Sequence, residues 1–96
     1  MKKIPKITHL QFLILKIVIK ASPLGTTAIC VREQSGWDSS LPSFYQFMKR
    51  MERGGLIEGN YQQMIFESQM IRERRYKILP AGLNAYKETV AFYKNA

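Results

Sequence analysis

Lys49, Arg50 and Arg53, together with Ser43 and Gln46, are the residues of this chain whose types and spacing best suit shared chemistry. At about 100° per residue along a helix they fall within one arc of roughly 120° that holds no carboxylate. A face built from ammonium, guanidinium, hydroxyl and carboxamide groups suits an anionic partner, with the cations on phosphates and short neutral side chains on base edges. Gln46 and Ser43 lie near the helix start, so with Arg50 they are the candidates for reading bases. Lys49 and Arg53 suit phosphates, and Tyr45, at the margin of the arc, can donate its hydroxyl to the same backbone. Arg72, Arg74, Arg75 and Lys77, with Glu73 the one acid among them, form a second cationic group of the same character. An ordinary solvated helix face is the plainer reading of the first group.

Catalysis has much less to draw on. One histidine (His9), one cysteine (Cys30) and one aspartate (Asp38) leave no nucleophile, base and orienting group, and there is no glycine-rich phosphate loop. Cys30 and His9 make no zinc set and no internal disulfide, so no catalytic residue, metal or cofactor is expected.

The elements that position these residues are legible from periodicity and caps. Leu41, Phe44, Phe47, Met48 and Met51 gather on the opposite side of the helix over 41–53 and predict its buried face. Ser39 and Ser40 offer capping hydroxyls, Pro42 suits the first turn, and Gly54 and Gly55 allow the left-handed residue that ends a helix. Upstream, Thr8 with Gln11 forms a capping-box pattern for a first helix reaching about Lys20. That helix is apolar around most of its circumference, so other elements must surround it. Thr26 or Thr27 can cap a second helix reaching about Ser35, which Gly36 stops, and Trp37 plugs the corner before the third.

Beyond Gly55 the pattern turns extended: 56–66 and 70–79 read as a β-hairpin turning at Glu67-Ser68-Gln69, with Arg72, Arg74 and Arg75 on the second strand. Pro80 opens a last helix, on which Leu83, Tyr86, Val90 and Tyr93 form a stripe that is core or a dimer seam. The expected fold is mainly α with a small β-hairpin, one domain over 1–96 with a basic arm at 1–7 and a C-terminal helix within 80–96.

With 96 residues and a formal charge of +8, the chain suits a polyanionic partner, nucleic acid or an anionic membrane surface. Residues 1–20 carry five lysines and no acid, and 42–79 carry seven bases against four acids. The apolar run Leu10–Ile19 is broken by Lys16 and is shorter than the roughly 20 residues that span a bilayer, so a cytoplasmic location is expected, with no membrane partner.

The order helix, helix, basic helix, hairpin, helix resembles the PadR-like winged-helix transcription regulators over about residues 8–90. The residues that carry it are Phe12, Ile14 and Leu15, then Pro23 and Gly25, then Tyr45, Met48, Met51, Glu52, Gly55, Leu56 and Ile57, and finally Arg74, Tyr76, Ile78 and Gly82. MarR-like winged helices are similar as well. The chain departs from the PadR-like pattern at Leu79, where a capping threonine is usual, at Thr26, where an aromatic often stands, and at a hairpin tip without glycine. The resemblance implies a winged helix-turn-helix with a three-helix core and a β wing. It also implies a homodimeric repressor whose third helix enters the major groove of double-stranded DNA, with Tyr45 and Arg74 close to the DNA. A winged helix that serves only to dock an acidic protein is the alternative.

Overall fold

The computed structural model describes residues 6–95 and contains four helices and a three-stranded antiparallel sheet. Most of the expected basic arm, residues 1–5, and residue 96 lie outside the described residues. The elements run α1 (His9–Lys20), β1 (Thr26–Thr27), α2 (Ala28–Ser35), α3 (Leu41–Arg53), β2 (Ile57–Phe66), β3 (Gln69–Ile78) and α4 (Pro80–Lys94).

The caps act where the sequence places them. Thr8 Oγ1 accepts from the Gln11 amide at 3.1 Å while Gln11 Oε1 accepts from the Thr8 amide at 2.9 Å, which closes the capping box of α1. Thr27 caps α2 by accepting from the Cys30 amide at 3.3 Å, and Gly36 ends that helix in the left-handed region. Ser40, not Ser39, caps α3. Gly54 is still right-handed, and Gly55, at φ +75°, makes the turn into the sheet.

Two expectations change. The fold is mixed α/β rather than mainly α with a lone hairpin, because Thr26 and Thr27 pair with Tyr76 and Arg75 as a third strand. Sheet order is β1-β3-β2, so β3 is central and its base is tied down on both sides. The second change is at the hairpin tip, where Gln69 belongs to β3 and the turn is the two residues Glu67 and Ser68. Their φ values of 50° and 64° give the backbone twist that a two-residue hairpin loop needs, here without glycine.

The core is one cluster: Ile14, Leu15, Ile17 and Val18 of α1, Ala28 and Val31 of α2, Phe44, Met48 and Met51 of α3, with Ile57 and Tyr76 of the sheet. Helix α1 touches α2, α4 and β3, which accounts for its nearly continuous apolar circumference. Two members of the expected α3 face sit at its rim. Leu41, in the first turn, is 48% exposed, and Phe47 is half-buried against Trp37, at 5.5 Å between ring centroids. Trp37 also meets Phe44 edge-on and donates Nε1–H to the Ser40 carbonyl at 3.3 Å, so it plugs the α2–α3 corner.

Part of the α4 stripe is used within the chain. Tyr86 stacks on Phe12 of α1 at 4.9 Å, while Tyr93 remains 57% exposed. Among the described residues no helix is long and apolar enough to cross a membrane.

Candidate nucleic-acid interface

The outward surface of α3 carries Ser43, Gln46, Lys49, Arg50 and Arg53, all of them exposed. Their solvation follows from the burial of Phe44, Met48 and Met51, which fixes the rotation of the helix about its axis. Ser43, Gln46, Arg50 and Arg53 recur at i, i+3, i+7 and i+10 and form an outer ridge. The Ser43 hydroxyl accepts from Ser40 Oγ at 3.1 Å and keeps its own proton for a partner. A second ridge, Tyr45, Lys49 and Glu52, turns toward the hairpin.

Between α3 and the hairpin lies an open cleft of about 520 Å³ lined by Tyr45, Lys49, Glu52 and Arg53 from the helix and Tyr61, Arg74 and Tyr76 from the strands. Register explains the hairpin's share. Gly59, Tyr61 and Gln63 of β2 stand opposite Tyr76, Arg74 and Arg72 of β3, and a strand's period of two sends all six to one face. Two guanidinium groups lie over the Tyr61 ring, that of Arg72 at 4.0 Å from its centroid and that of Arg74 at 4.7 Å.

Glu52 and Arg74 form a hydrogen-bonded ion pair across the cleft floor, with side chains only 17% and 22% exposed. Gly59 makes room for it, since a Cβ there would overlap the Glu52 carboxylate. Partial burial disfavours the Arg74 charge, but the hydrogen bond and charge of Glu52 outweigh that and leave the guanidinium more basic than usual. Beside the pair, Tyr76 is fully buried, and burial followed by the Glu52 charge pushes its phenol well above the ordinary value. Its hydroxyl makes no hydrogen bond of normal geometry within the chain, although Arg74 is close enough to act in the opposite direction.

The expected site residues thus divide three ways. Tyr45, Lys49, Arg53 and Arg74 meet in the cleft, with Arg72 next to it on Tyr61, while Ser43, Gln46 and Arg50 hold the outer ridge. Arg75 belongs elsewhere. It projects from the opposite face of β3, donating to Gln62 Oε1 at 2.6 Å and to the Gly25 carbonyl at 3.1 Å. Glu52, Tyr61 and Tyr76 were not among the expected site residues. The available signals were the i, i+3 spacing of Lys49 and Glu52 and the shared strand parity of Tyr61 with Ile57. Among the described residues no cluster of potential ligands could hold a metal ion. In comparisons with known proteins, no family model matches the chain and no curated protein matches it.

Proposed function

We propose that this protein is a winged-helix regulator that binds double-stranded DNA in a sequence-dependent way in the cytoplasm, with α3 in the major groove and the β2–β3 hairpin as the wing. The supporting observation is the shape of the cationic surface: a carboxylate-free outer ridge on α3, Arg53 included, beside a cleft that adds Lys49, with Arg72 next to it on Tyr61. In this reading Ser43, Gln46 and Arg50 read base edges. Lys49, Arg53 and Arg72 contact phosphates, and Tyr45 donates its hydroxyl to the backbone across the cleft. The exposed end of the α4 stripe at Tyr93 supports a homodimer, which would set two α3 helices about one DNA turn, roughly 34 Å, apart. Repression is the sign of regulation implied by the PadR-like resemblance.

The decisive experiment is binding of the full chain to duplexes selected from a random-sequence pool, measured at several salt concentrations. The expected result is an affinity that falls linearly on a log–log plot, with Arg53→Ala lowering the slope by about one unit and Gln46→Ala chiefly relaxing sequence preference. Docking of an acidic protein partner is the competing reading. It uses the same basic faces of α3 and the hairpin, and it predicts no salt-dependent affinity for duplex DNA.

A further inference from the structure

The outer half of the hairpin carries an apolar pair that the fold does not use. Ile65 and Met70 stand directly opposite each other across β2 and β3, at 76% and 69% exposure. Burying such side chains is favourable, so an exposed pair at the end of a projecting element points to a partner. We infer that this pair is an apolar wedge that enters the DNA minor groove beside the major groove holding α3, partly unstacks a base step there and bends the duplex. The inference rests on the DNA-binding reading above.

Three observations favour this occupant. First, register parity puts the pair on the cleft side of the hairpin, in line with Tyr76, Arg74 and Arg72, so it continues the cationic surface. Second, the reach is right. From the Gly59–Tyr76 level, where the hairpin meets α3, to Ile65 is six residues, about 20 Å at 3.3 Å per residue. Half a DNA turn, the axial offset between neighbouring major and minor grooves, is roughly 17 Å. Pairing continues without interruption to Phe66 and Gln69, so the tip is held at that distance by the ladder.

Third, the residue types fit. Minor-groove proteins combine arginine, asparagine or glutamine at the groove edge with isoleucine, methionine, leucine or phenylalanine between base steps. Here Gln63 and Arg72 face each other one step below Ile65 and Met70 on the same side. The Glu67 carboxylate in the turn opposes close approach, and Arg72 below the pair offsets that charge.

The test uses the full chain and a duplex recovered from a random-sequence pool, end-labelled with a donor and an acceptor so that transfer efficiency reports the bend. The variant is Ile65→Ser with Met70→Ser, both solvent-exposed and outside the core. The parent is expected to bend the duplex. The variant should keep its melting temperature and its salt slope, since an apolar contact releases no counterions, while binding about tenfold more weakly and bending the duplex much less. A parent that binds but leaves the duplex straight, or a variant that bends it equally, overturns the wedge and leaves the DNA reading intact. A variant whose oligomeric state in DNA-free light scattering differs from the parent's overturns it too, because the pair is then a protein contact. Recovery of no duplex by the parent would overturn both readings.

Discussion

Glu52 is the one carboxylate in the α3–hairpin cleft among the described residues, and replacing it with glutamine should change stability and DNA affinity in opposite directions. In the parent it neutralises Arg74 across a floor that is largely shielded from water. Losing a hydrogen bond between charged groups costs about 1.5–3 kcal/mol when buried, and partial exposure brings this to about 1–2 kcal/mol. For a domain of this size, that lowers the melting temperature by roughly 5–15 °C. On DNA the same change frees one positive charge in a cleft where Lys49 and Arg53 already stand. One further phosphate neutralised steepens the salt slope by about 0.9, which at 0.15 M salt corresponds to roughly fivefold tighter binding. Thermal unfolding followed by circular dichroism and fluorescence anisotropy on a labelled duplex at four salt concentrations would measure both effects. The double variant Glu52→Gln/Arg74→Ala should lose the gain, which assigns it to Arg74. A Glu52→Gln protein that melts lower but keeps the parent's slope would refute the argument, because Arg74 would then be a structural cation only.

Other consequences follow from burial. Tyr76 holds its proton more tightly in the native state than in the unfolded chain, so its stabilising contribution is complete below about pH 10 and is lost at higher pH. Tyr76→Phe should therefore flatten the alkaline limb of a stability–pH profile while changing stability at pH 7 by about 1 kcal/mol or less, as denaturant titrations at both pH values would show. Phe44, at 0% exposure between Trp37 and the core, should cost about 3–5 kcal/mol as alanine, measured by denaturant midpoint, and more than the rim residue Phe47. In Gly82→Ala the new Cβ would overlap the Leu56 carbonyl oxygen, a backbone atom that also accepts from the Leu79 amide. That overlap should lower the melting temperature despite alanine's better helix propensity, which on its own would raise it.

Local signals reached the elements and one face of the site, and the part they missed depends on which strand residues share a side. Thr8 with Gln11, Ser40 with Pro42, and Gly36 mark helix ends through interactions no more than a few residues long, so those ends are visible in one dimension. The apolar arc of α3 likewise identifies its own solvent face, because a helix with Phe44, Met48 and Met51 inside must turn Lys49, Arg50 and Arg53 outward. The third strand was hidden because two residues are too few for a periodic pattern, and Thr27 already had a local role as a cap.

Arg72, Arg74 and Arg75 show a deeper limit. As a run of charge they read as one wing surface, yet the period of two assigns Arg75 to the far face, where carbonyl oxygens of the α1–β1 loop hold it. Arg74 in turn faces the cleft but meets Glu52, a residue 22 positions away, and only the tertiary fold brings the two together. On the cleft face of that strand the cation that remains available is Arg72, resting on Tyr61 and standing between the cleft and the Ile65–Met70 tip, whereas Lys77 shares the far face with Arg75. If the hairpin is a wing, its electrostatic contribution therefore comes mainly from one arginine. On this account Arg72→Ala should reduce the salt slope of DNA binding more than either Arg74→Ala, which removes a charge already paired, or Arg75→Ala, which removes one on the wrong side. Equal losses from all three would mean that the ion pair opens and the strand twists on binding, contrary to the rigid reading of this surface.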